Sequence, residues 1–147
     1  MSKIKNKIDT NTIKRSQIRR GSECPQVPAF SFEILTKNKT YNLEYFLDSN
    51  DKREATCRIL LRLKELCEKS WEHWHGLGKK AGLETIPAER LNFEPSEKQL
   101  SSGDKVIVFR LKSYANKDAR IIGMRRDGCP IFYIIGFDFD FSAYNHG

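Results

Sequence analysis

The stretch "ARIIGMRRDGCPIFYIIGFDFDF" (residues 119–141) decides how this chain folds. Two apolar runs flank Asp127-Gly128, a residue pair that suits a tight hairpin turn. Read with a two-residue loop, Arg126 faces Cys129, Met124 faces Ile131 and Ile122 faces Tyr133. Side chains alternate along a strand, so one face carries Ile122, Met124, Ile131, Tyr133, Ile135, Phe137 and Phe139. The other carries Ile121, Gly123, Arg125, Phe132, Ile134, Gly136, Asp138 and Asp140.

Working outward, "KVIVFRLKS" (105–113) alternates in the same way and reads as the neighbouring strand. Placing Ile107, Phe109 and Leu111 on the more apolar face puts Val106, Val108, Arg110 and Lys112 on the second. "ETIPAERLNF" (84–93) is a weaker strand, which Pro87 assigns to an edge or a bulge, and "FSFEIL" (30–35) is a short one. Between them the period is 3.6. Asp51 and Glu54 stand at capping-box spacing, and Ile59, Leu63 and Leu66, with Leu60 and Cys67, form one stripe. Ser70 caps a second helix carrying Trp71, Trp74 and Ala81 on one face, with Gly82 just past its end. The expected fold is α+β: a small twisted antiparallel sheet with two helices packed on one face, over residues 29–147.

Residues 1–28 lack periodicity and carry seven cations against Asp9 and Glu23, a net +5 of the chain's +7. Such a segment is expected to be a flexible basic tail, because it has little apolar surface to offset its ordering entropy. Its charge suits a polyanion, an acidic protein partner or simple solubility. The four cysteines form no CxxC pair, and no apolar run approaches membrane-spanning length, so the expectation is a reduced, cytoplasmic protein with no membrane partner.

With the helices on the first face, the second becomes an apolar floor rimmed by Arg110, Lys112, Arg125, Asp138 and Asp140, a setting for a polar ligand or an ordinary half-exposed sheet. Lys79 and Lys80 close a helix pattern, where they complement the helix C-terminus or touch phosphate. His73 and His75 in "EHWH" (72–75) do not share a helix face, so no metal or other cofactor is expected. Asp138, Tyr144 and His146 stand within a few residues of this basic face. Cleaving RNA by attack of the 2′-hydroxyl needs a proton acceptor, cations for the phosphorane and a proton donor to the leaving oxygen, and no metal. Tyr144 and His146 suit the proton transfers, and Arg110, Arg120 or Arg125 the charge.

Residues 105–147, with Arg120-Ile121-Ile122-Gly123, Phe132-Tyr133-Ile134, Asp138, Tyr144 and His146, resemble the RelE/ParE-type toxins of bacterial toxin–antitoxin systems. The element order of residues 30–147 is similar too. The resemblance implies a RelE-like sheet with two helices on one side. It also implies a metal-independent endoribonuclease acting on mRNA during translation, at the ribosome, and held in check by a cognate antitoxin. Site residues implied are Tyr144, His146, Asp138 and Arg120 for catalysis, with Arg110, Lys112, Arg125, Lys79 and Lys80 for RNA. The ParE-like branch shares the fold but inhibits DNA gyrase, so a non-catalytic toxin is the alternative. A nucleic-acid-binding module led by residues 1–28 is another.

Overall fold

A computed structural model describes residues 26–50, 52–96, 100–101, 103–114 and 117–145. In chain order it contains β1 (Ala29–Ser31), α1 (Lys52–Leu66), α2 (Trp71–Leu77), β2 (Leu83–Pro87), β3 (Lys105–Tyr114), β4 (Lys117–Arg125) and β5 (Ile131–Asp138), with short 3-10 turns between. The five strands form one sheet in the order β1-β5-β4-β3-β2. Fold class and helix count match the sequence reading, but the sheet is mixed: β1 runs parallel to β5, Ala29 beside Ile131. The chain also joins the fold earlier than residue 29. Gln26 donates to the Gly128 carbonyl (3.1 Å), and its own carbonyl accepts from the Trp71 amide (2.8 Å). Residues 1–25 lie outside the described residues, as does the expected cap Asp51.

Helix α1 buries Ala55, Ile59, Leu63 and Leu66, spaced one and two turns apart on one stripe. Leu60 and Cys67, expected on that stripe, face outward instead; Leu60 is 61% exposed and lines a groove with Leu43, Leu47 and Cys57. Ser70 caps α2 as predicted, its hydroxyl accepting from the His73 amide (3.1 Å). Trp71 and Trp74 are buried, and their indole N–H groups donate to the carbonyls of Pro130 and Leu66, both at 2.8 Å. Such large rings are buried at little polar cost when the one donor is satisfied. Gly82 follows with φ +72°, the left-handed turn that ends the helical segment, and a Cβ there would sit 2.8 Å from Cβ of Arg110.

Two corrections concern the hairpin. Arg126 and Cys129 do close the turn (3.0 Å), but the ladder resumes two residues further out, with Met124 opposite Tyr133 and Arg125 opposite Phe132. Pro130 has no N–H to offer a ladder, which moves the first pair beyond it. A two-residue shift preserves faces. The second irregularity does not: Ile122 pairs with Gly136 and Gly123 with Ile134, leaving Ile135 as an extra residue in β5. This bulge inverts everything after it. The helix side of the sheet therefore takes Ile107, Phe109, Leu111, Ile121, Phe132, Ile134, Phe137 and Phe139. The opposite side takes Val106, Val108, Ile122 and Ile135, then Asp138.

That second side is not open, contrary to the sequence expectation. Ile34, Tyr41, Phe93, Ala143 and Tyr144 cover it, packing with Ile86 and the other residues of this face as a second core. Tyr41 and Phe93 stack with ring centroids 4.5 Å apart. Gly136 makes room for them: a Cβ would lie 2.6 Å from the Phe93 ring and 2.9 Å from the Tyr41 carbonyl.

Candidate functional site

Arg120 on β4 is the cross-strand neighbour of both Arg110 on β3 and Asp138 on β5. Two residues along the strands, Glu84, Val108, Ile122 and Gly136 form the next row on the same face. Paired residues project from the same face, so Glu84, Arg110, Arg120 and Asp138 all lie on the side away from the helices.

The chain beyond β5 folds back over these rows. The Ser142 amide donates to carboxylate oxygens of Asp138 (3.0 Å) and Asp140 (3.2 Å), which makes the turn. The returning segment is fastened by its carbonyls. Ser142 O accepts from Asn92 Nδ2 (2.7 Å) and the Tyr41 hydroxyl (3.1 Å), Ala143 O from the Asn92 amide (2.7 Å), and Asn145 O from Arg90 Nη2 (2.6 Å). Tyr144 is thereby held at 3% exposure, with the Arg90 guanidinium 5.9 Å from its ring centre.

The Tyr144 hydroxyl donates to the Glu84 carboxylate. Burial, then the bond to Glu84 and its charge, push the phenol's pKa well above the ordinary value; the Arg120 guanidinium, which also bonds the hydroxyl, works the other way. Tyr144 is therefore a neutral hydrogen-bond donor, not a base. Tyr45 is shifted the same way, by burial and then by the charges of Asp140 and Asp138. Arg120 is 7% exposed, and its Nη1 atom is sealed from solvent with no hydrogen-bond partner. The Phe141 ring lies over this guanidinium, its centre 4.3 Å from Cζ. An unsatisfied charged donor in such a place is unfavourable and is a reason to look for an anion.

The predicted site residues thus divide. Arg120, Asp138 and Tyr144 come together, and Arg110 lies at the exposed margin of their row, its backbone carbonyl accepting from Arg62 Nε (2.8 Å). Arg125 does not share this face: it lies 4.7 Å from the Trp71 ring centre on the helix side, and bonds the Cys129 carbonyl (2.6 Å) and Gln26 Oε1 (2.9 Å). The bulge separates it from Asp138, and strand parity along β4 separates it from Arg120 and Arg110. Lys79 is exposed in the Gly78–Ala81 turn, outside the Arg120 row. Lys80 shares that turn and Lys112 lies in β3, but their side chains lie outside what the structure describes, and His146 lies outside the described residues altogether. Among the described residues no cluster of three or more His, Cys, Asp and Glu side chains is placed to hold a metal ion.

Glu84, Phe141 and Arg90 were not singled out from sequence. Glu84 had a signal: it shares strand parity with Ile86, which is buried, so a carboxylate was due on an inward face. A hollow of about 380 Å³ under Leu91, Phe93, Pro95 and Leu100 contains none of the Arg120 group, and no unpartnered buried polar side chain lines it among the described residues. No family, curated protein or solved structure matches the chain. No helix of the described residues is long and apolar enough to cross a membrane.

Proposed function

We propose that this protein cleaves RNA by attack of a 2′-hydroxyl on the adjacent phosphodiester, with Glu84, Arg120 and Tyr144 at the centre of the reaction. The observation that carries this reading is the buried Arg120 guanidinium, one nitrogen unpartnered, beside the Glu84–Tyr144 pair. A half-buried carboxylate is suited to take the 2′ proton. The O2′–P bond forms as the P–O5′ bond breaks, giving a 2′,3′-cyclic phosphate and a free 5′-hydroxyl. Arg120, with Arg110 at the margin, supplies the charge for the phosphorane, a role that a fixed planar guanidinium fills better than an ammonium. Tyr144 positions Glu84 and offers a neutral donor. The leaving oxygen takes its proton from His146, a residue type that donates near neutral pH and stands two positions after Tyr144 in the chain.

The resemblance to RelE/ParE-type toxins extends this proposal: the substrate is mRNA being translated, the site is the bacterial cytoplasm, and a cognate antitoxin is the partner. The test is RNA cleavage by the purified protein, with and without translating ribosomes, on an all-ribose strand and its 2′-O-methyl counterpart. Cleavage of the ribose strand alone, ending in 2′,3′-cyclic phosphate and reduced about 10²–10⁴-fold by Glu84→Gln, is the expected result. Undiminished cleavage by both Glu84→Gln and Arg120→Gln, or none by the wild type in either setting, would overturn it.

A further inference from the structure

Phe141 is the one non-glycine residue among the described residues with a left-handed backbone, at φ +63°. An L-residue with a bulky side chain is strained there, whereas Gly or Asn would not be. The same residue lays its ring over Arg120, whose Nη1 is sealed and unpartnered. The ring is nonetheless 44% exposed, so part of the apolar area that an outward swing would expose already meets solvent. The backbone on either side is fixed: Asp140 and Ser142 are hydrogen-bonded to each other, and Ser142 also to Asp138, Tyr41 and Asn92.

We infer that Phe141 is a lid on the Arg120 site, closed in this structure and displaced by a phosphate group of the nucleic-acid substrate. This rests on the reading of Arg120 as a phosphate-binding residue. In the closed state a cation–π contact substitutes for an anion over one face of the guanidinium but leaves Nη1 without an acceptor. A phosphate oxygen supplies that acceptor, and outward rotation of residue 141 releases the strained backbone. The surroundings select the ligand. Asp138 is the cross-strand neighbour of Arg120, and the Glu84 carboxylate is bonded to the Tyr144 hydroxyl in the next row, so a dianionic free phosphate is repelled more than the singly charged diester of a polynucleotide. The lid therefore opens for a strand that brings further contacts, and stays shut to free phosphate.

The experiment measures binding of a fluorescent 2′-O-methyl RNA tetramer, which cannot be cleaved, by anisotropy. It compares the full-length wild type with Phe141→Gly, Phe141→Asn, Arg120→Gln and the Phe141→Gly/Arg120→Gln double variant, with inorganic phosphate as competitor. Glycine and asparagine both accept the backbone conformation, so these variants are expected to fold. Removing the lid should tighten RNA binding up to about 10-fold, the scale of one cation–π contact. Arg120→Gln should cancel that gain, and inorganic phosphate should compete poorly throughout. Equal or weaker binding by both Phe141 variants, with Arg120→Gln still reducing wild-type binding, would overturn the lid and leave the phosphate site standing. RNA binding insensitive to Arg120 in every background, or absent, would overturn both.

Discussion

Replacing Tyr144 by Phe removes one oxygen and leaves the ring in its place. The ring keeps its packing in the second core and its position beneath Arg90. What disappears is a hydroxyl that donates to Glu84 and bonds Arg120. Glu84 is half-exposed and recovers water, but Arg120 is sealed and already has one unpartnered nitrogen, so it loses an acceptor it cannot replace. Hydrogen bonds to charged groups and unsatisfied buried donors both fall near ~2 kcal/mol. For a domain of this size, that loss is expected to lower Tm by about 8 °C. The assay is urea and thermal unfolding followed by near-UV circular dichroism, with Tyr133→Phe as the control, expected to stay within about 0.5 kcal/mol. A cycle of Tyr144→Phe with Glu84→Ala should show a coupling of about 1 kcal/mol or more. Alkaline pH gives a second readout with a definite sign. A phenol whose folded pKa is raised adds stability that is complete below its unfolded pKa, near 10, and is lost as pH rises through the folded value. Wild type should therefore lose more stability above about pH 10 than Tyr144→Phe. A Tyr144→Phe protein as stable as wild type, with no coupling to Glu84, would refute the assignment of this hydroxyl to the buried network.

Two further outcomes follow from the packing and charge described above. Gly136→Ala should destabilise by about 1–3 kcal/mol in urea titrations, because the added methyl meets the Phe93 ring at 2.6 Å and the Tyr41 carbonyl at 2.9 Å. Adding Phe93→Leu should restore only part of it, since the Tyr41 carbonyl is held by the Phe137 amide at 2.8 Å. His75, stacked on Trp71, has its pKa lowered by burial and then by the charge of Arg125. A base with a lowered folded pKa contributes stability that is present above its unfolded value, near 6.5, and lost as pH falls below it, so His75→Gln should flatten the fall in urea midpoint between about pH 7 and pH 5.

The helices and the strands β3, β4 and β5 were legible because each carries an uninterrupted period and an identifiable stop: Ser70 before α2, Gly82 after it, Asp127-Gly128 between β4 and β5. The bulge was not. Ile134 and Ile135 are both apolar, so the extra residue, Ile135, leaves no visible break in the pattern; Phe137 and Phe139 were read on the helix side, where they lie, but Phe132 and Ile134 were read on the opposite face and in fact join them. Strand β1 pairs over only three residues with a partner a hundred positions away, which no local pattern encodes. The cover of the second face comes from irregular segments around Tyr41 and Phe93, where burial has no period to reveal it. Of the site, Arg120, Asp138 and Tyr144 were visible as residue types near one another in strand and tail. Glu84 was hidden by the weak reading of β2, and Phe141 by a backbone conformation that an aromatic residue gives no reason to expect.

The parallel pairing of β1 with β5 also bears on how the fold is reached. Ala29 emerges early in synthesis and finds its neighbour only when Ile131 has been made, and β5 itself lies between β1 and β4, inside the sheet. The helices and the β2–β3–β4 meander can form from nearby contacts, but the Arg120–Asp138 row and the Glu84–Tyr144 bond cannot exist until β5 is inserted. Long loop closure precedes the contacts that reward it, which makes this the slow step of folding. The network of Glu84, Arg120, Asp138 and Tyr144 is consequently among the last parts of the molecule to be assembled, and a nascent chain that has not yet released β5 has no such network at all.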